Sequence, residues 1–107
     1  MVDVLLDLVR SGHGYVKVSA PYRGSTAEPE FSDMGPLARA LIAANVRRIL
    51  WGTDWPHPDT TPGRAPTEIS PLRQIDDGRL FNQFATWASA DERKTILVDN
   101  PQELYGF

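Results

Sequence analysis

The sequence contains no cysteine, so neither disulfides nor thiolate metal ligands hold it together. Histidine is scarce as well, with His13 and His57 the only two. No apolar run approaches the ~20 residues that cross a bilayer, and Met1 is not followed by a basic and then apolar leader. These absences set the expectation of a cytoplasmic protein with no membrane association. Basic residues number 11 and acidic residues 14, a net charge of -3, and the two signs are spread along the chain. No basic tract interleaved with aromatics offers a grip on nucleic acid, and no acidic tail suggests a disordered arm. There is no internal repeat and no low-complexity segment. What remains, 107 residues of ordinary globular composition, is the size of one small domain.

Apolar spacing divides the chain into elements. Val2, Leu5, Leu6 and Val9 fall on one face of a helix that Gly12 can end. Tyr15–Ser19 alternates, Val16 and Val18 on one face and Tyr15, Lys17 and Ser19 on the other, which predicts a strand. A loop punctuated by Pro21, Gly24 and Pro29 leads to a second helix from Ser32 or Asp33, with Pro36 in its first turn and a stripe of Leu37, Leu41 and Ala44 flanked by Ala38 and Ile42. Arg47–Thr53 is predicted as the second strand.

Residues 55–76 carry five prolines and read as a long loop, which in a compact domain is a lid, a binding loop or disorder. Asp76 or Asp77 then caps a helix that buries Leu80, Phe81, Phe84, Trp87 and Ala88. Ser89 and Glu92 form a capping-box pattern opening another helix through Ile96 and Leu97. Asn100, Pro101 and Glu103 suggest a new cap and a final turn, with Tyr105 and Phe107 pinning the C-terminus. Two strands joined by a helix form a βαβ unit and therefore a parallel pair. Parallel strands need cover on both faces, and two alone leave edges open, so the pair reads as part of a larger sheet.

The stretch ILWGTDWPHP (Ile49–Pro58) holds the densest chemistry. A carboxylate, Asp54, closes the apolar strand, and His57 follows between two prolines that stiffen it. If Asp54 points into a site, strand parity sends Leu50 and Gly52 the same way and Ile49 and Trp51 to the opposite face, under helices. A turn aspartate accepting backbone N–H bonds is the plain alternative for Asp54, and a solvated loop histidine is the alternative for His57. His13, beside Gly12 at a helix end, is expected to be exposed. Lys17 shares the inward face with Ser19 and suits an ion pair.

GTDWPH (Gly52–His57), VKVSAPYR (Val16–Arg23) and ILVDNPQELYGF (Ile96–Phe107) together resemble the C-terminal part of the amidohydrolase superfamily. The likeness is to its amidohydrolase-2 branch, which includes 2-pyrone-4,6-dicarboxylate lactonase-like hydrolases. The resemblance implies an α/β fold in which residues 1–107 are a single partial domain, the C-terminal βα units of a TIM (β/α)8 barrel. Tyr15–Ser19 would be strand seven and Arg47–Thr53 strand eight. A complete barrel takes about 250 residues, and the His-x-His of the first strand is absent here. The chain accordingly reads as the last third of such an enzyme, entered at an internal Met, and by itself inactive.

The resemblance also implies roles. Asp54 would be the general base toward water and, where a divalent metal such as zinc is used, a metal ligand. Arg23 would clamp a substrate carboxylate, for which a planar guanidinium is suited; a surface arginine is its plain alternative. His57 would hydrogen-bond substrate or orient Asp54. One carboxylate and one loop histidine do not complete the three-ligand site usual for catalytic zinc. The implied activity is hydrolysis of a lactone or related C–O or C–N carbonyl bond in a carboxylated small molecule. The alternatives are a decarboxylase of the same superfamily, or a non-catalytic fragment or assembly module that needs a partner chain. The open sheet edges imply a homo-oligomer or association with the missing barrel segment.

Overall fold

The computed structural model describes residues 2–19, 21, 32–55, 57 and 75–106. Tyr22, Arg23, Phe107 and most of the proline-rich loop lie outside these residues.

Helix α1 spans Val2–Ser11 and buries Val9 completely, with Leu5 and Leu6 packed beside it. Gly12 ends it with a φ of 81°, a left-handed conformation that costs glycine little, and its N–H donates to Val9 O at 3.1 Å. Strand β1, Val16–Lys17, pairs in parallel with β2, Ile49–Leu50, in the register Val16 with Ile49 and Lys17 with Leu50. Val18 N–H donates to Leu50 O at 2.8 Å and carries the ladder one step further. The predicted βαβ unit is therefore present, with shorter strands.

The crossover is a 3₁₀ turn, Ser32–Met34, followed by α2, Gly35–Ala44, with a proline in its first turn. Its buried side chains are Ala38, Leu41 and Ile42, while Leu37 and Ala44 are only partly covered. The stripe is thus rotated slightly from the one the spacing predicts. At the start of α2, a Cβ on Gly35 would lie 3.2 Å from the Trp87 indole nitrogen, so glycine lets the helix approach the next one closely. Residues Val46–Arg48, expected to begin the second strand, form another 3₁₀ turn. Asn45 causes this locally. Its side chain accepts from Arg47 N–H at 3.2 Å and donates to Val9 O at 3.2 Å, a bonding pattern that competes with a strand ladder.

Helix α3, Asp77–Trp87, is capped by the Asp76 side chain accepting from Arg79 N–H. Phe84 is fully buried and stacks on Trp51 at 5.3 Å, while Phe81 meets the same indole edge-on at 5.6 Å and remains 40% exposed. Phe81 is a rim residue and does not belong to the buried face the sequence predicts. Ile49 and Trp51 do face the helices as parity requires. On the other face of the pair, a Cβ on Gly52 would sit 3.8 Å from Lys17 Cδ.

Ser89 opens α4, Ala90–Lys94, with both bonds of the capping box present. The backbone then runs through a π-helical turn, Thr95–Asp99, directly into α5, Asn100–Tyr105. A new cap at Asn100 is therefore a wrong expectation. Asn100 N–H bonds back to Thr95 O in the wider register, and Pro101 has no N–H to return the chain to the tighter one at that point. Tyr105 is 61% exposed and is therefore not the core residue the sequence suggests. Among the described residues no helix is long and apolar enough to cross a membrane.

Candidate functional site at the end of the second strand

Past Leu50 the chain leaves regular secondary structure and turns at Asp54. Asp54 has a φ of 61° and His57 a φ of 64°, both left-handed. Side chains with a Cβ rarely adopt this region, and aspartate tolerates it better than most because its short polar side chain can bond locally. The turn is closed by His57 N–H donating to Asp54 O at 2.7 Å, and Thr53 Oγ1 accepts from Trp55 N–H at 3.2 Å. Trp55 projects outward, 74% exposed, whereas Asp54 is half-buried.

The His57 ring turns inward and is only 3% exposed. Its Nε2 lies 2.7 Å from Asp77 Oδ1, on the first turn of α3. Both atoms are shielded from water, although the N–H is not aligned for a linear hydrogen bond. The contact is short and shielded from water at both atoms, and it is an ion pair only when the ring is protonated. Left-handed residues of this kind cost about 1–3 kcal/mol each and persist where their surroundings over-determine them.

Asp54 and His57 are thus brought onto one turn at the C-terminal end of β2. Arg23 lies outside the described residues. The left-handed φ of Asp54 ends the two-residue alternation, so the turn, not strand parity, sets where its carboxylate points. From the sequence, Asp77 is only a possible cap. Asp76 takes that role, and the adjacent second carboxylate is the signal that could have marked Asp77 for another. Lys17 is exposed and forms no ion pair among the described residues. His13 is exposed as expected, 3.2 Å from Ser11 Oγ.

Among the described residues no three His, Asp or Glu side chains converge, and His57 Nε2 already faces Asp77. These residues do not fit a complete metal centre; at most they offer the single carboxylate of Asp54. A cavity of about 210 Å³ lies among α1, β1, α2 and α3, walled by Leu5, Val16, Leu37, Leu41 and Trp87. Neither Asp54 nor His57 lines it.

Residues 3–107 match the model of a family described as amidohydrolase. The chain is 39% identical over 103 residues to a 4-sulfomuconolactone hydrolase of Hydrogenophaga intermedia, covering 95% of this chain and 31% of the relative. It is 35% identical over 98 residues to a 2-pyrone-4,6-dicarbaxylate hydrolase of Comamonas testosteroni, covering 83% and 29%. It is 29% identical over 101 residues to a D-galactarolactone isomerase of Agrobacterium fabrum, covering 94% and 32%. An apo crystal structure of an Agrobacterium tumefaciens protein superposes with a TM-score of 0.73 at 29% identity, over 96% of this chain and 34% of that one. The chain spans about a third of the length of the relatives it matches. With a family model matched along almost its whole length and lactone enzymes among its relatives, the chain belongs to the amidohydrolase family, on its lactonase-like side.

Proposed function

We propose that a complete barrel carrying this segment hydrolyses a lactone in a carboxylated small molecule, with Asp54 as general base. In this reading β1 and β2 are the seventh and eighth strands, and their open edges pair with the remaining strands. The observation that carries it is the half-buried Asp54 carboxylate, held in a left-handed turn at the C-terminal end of a parallel strand, where barrel enzymes place their chemistry. The naming of two relatives as lactone hydrolases supports the substrate class.

Neutral water is a poor nucleophile, and a positioned carboxylate removes a proton as attack begins. The water oxygen bonds to the lactone carbonyl carbon, Asp54 takes the proton, and the ring C–O bond breaks. Asp54 returns that proton to the departing oxygen, and the new carboxylic acid releases its own proton to water, leaving a free carboxylate and a regenerated base. Arg23 anchors the substrate's existing carboxylate. Asp54 would be the segment's ligand if a divalent metal is used, and no step here depends on one.

A second reading, lactone isomerisation, is favoured by the isomerase among the relatives. Turnover of candidate lactones in water enriched in oxygen-18 separates the possibilities. Hydrolysis places one labelled oxygen in the product carboxylate of each opened ring. Isomerisation yields an unlabelled ring, and decarboxylation releases carbon dioxide; either result would displace the hydrolase reading.

A further inference from the structure

The geometry points to Asp77 as a positioning residue for Asp54, acting through His57. This rests on the proposed role of Asp54 as the base. Asp77 Oδ1 lies 2.7 Å from His57 Nε2, and the same histidine's backbone N–H lies 2.7 Å from Asp54 O. One residue therefore joins the α3 helix to the turn that carries the base.

The helix at the other end of this connection is itself fixed. Asp76 caps it, Phe84 is fully buried, and the stack of Phe84 on Trp51 ties it back to the chain just beyond β2. Strand, turn and helix thus close a circuit, with Trp51–Phe84 at one corner and His57–Asp77 at the other. The left-handed φ of both Asp54 and His57 is unfavourable and needs support from outside the turn. The His57 ring, 3% exposed, has no solvent to retreat into, and its Nε2 meets the shielded Oδ1 of an Asp77 side chain that is otherwise 39% exposed, so the contact supplies such support from the α3 side. Asp77 touches no reacting atom. It acts by limiting the conformations open to the turn, and a base must be held to within a fraction of an ångström to work.

The test uses the complete protein and two readouts, amide hydrogen exchange at His57 and steady-state kinetics. Asp77→Ala is expected to speed exchange of the His57 N–H by about tenfold or more, because the turn opens locally. It is expected to lower kcat roughly tenfold to a hundredfold with little change in KM. Asp77→Asn, which keeps an acceptor oxygen, is expected to restore most of both. The double variant Asp77→Ala with His57→Ala is expected to lose no more activity than His57→Ala alone, because the two act as one unit. Unchanged exchange in Asp77→Ala, unchanged kcat, or losses that multiply in the double variant would each overturn the inference.

Should Asp77→Ala fail to fold, His57→Gln and His57→Asn replace it. The Gln amide reaches the place of Nε2 and the Asn amide does not. Gln is expected to keep exchange of the residue-57 N–H slower than Asn does, and equal exchange in the two would overturn the inference. Asp54→Asn is the control that separates the two claims. Full turnover there, with fast exchange in Asp77→Ala, would refute the base and with it the positioning role while leaving a structural clamp. Lost turnover there, with unchanged exchange in Asp77→Ala, would refute the clamp and leave the base.

Discussion

Asn100 donates from a single side-chain nitrogen to two carbonyl oxygens, those of Val46 and Ile49, each at 2.7 Å. The donor belongs to the first turn of α5, and the acceptors flank the start of β2. The C-terminal helix is thereby fastened to the strand that leads to Asp54, by a side chain that is 2% exposed.

Replacing Asn100 by Ala should therefore destabilise the protein by about 1–3 kcal/mol, because it leaves Ile49 O buried and unsatisfied, whereas Val46 O keeps the Ile49 N–H. Asn100→Asp should be no better, since an ionised carboxylate has no N–H to donate and faces two carbonyl dipoles. Urea unfolding checks both. The midpoint should fall while the slope stays constant.

The aromatic contact between β2 and α3 separates a core residue from a rim residue. Phe84 is fully buried against Trp51, and Phe81 meets the same indole while 40% exposed. Phe84→Ala should cost about 3–5 kcal/mol, the usual range for a buried phenylalanine. Phe81→Ala should cost clearly less, because much of its ring is already in water. Chemical denaturation followed by tryptophan fluorescence compares the two.

The left-handed turn separates backbone tolerance from chemistry. Asn resembles Asp in accepting a positive φ, whereas a β-branched side chain does not. At position 54, with its φ of 61°, Asp54→Val should destabilise by at least about 1 kcal/mol more than Asp54→Asn. Thermal melts of the two variants measure the difference. Equal stability would show that the turn does not depend on this backbone conformation.

The elements legible in the sequence are those fixed by neighbours along the chain. Gly12 ends α1, Asp76 caps α3 and the Ser89–Glu92 box opens α4, because each bond spans only three or four residues. The parallel pairing followed from a helix between two strands. The length of β2 does not follow, because the local bond from Arg47 N–H to Asn45, which turns Val46–Arg48, is joined by a bond from Asn45 to Val9 across a long sequence separation that no local pattern encodes. The continuous path into α5 was hidden for a similar reason. Asn100 looks like a cap in isolation, but its side chain is committed to Val46 and Ile49. At the candidate site, the resemblance of GTDWPH points to Asp54 and His57. The contact between His57 and Asp77 depends on how α3 docks, which no local pattern encodes.

The most direct measurement of the central claim is kcat for hydrolysis of a carboxylated lactone by the complete protein, wild type against Asp54→Asn, with folding verified by the melt. If Asp54 activates the water, the variant should lose about 10² to 10⁴-fold in kcat, the range general-base groups contribute. Turnover close to wild type in a folded Asp54→Asn protein would contradict the account.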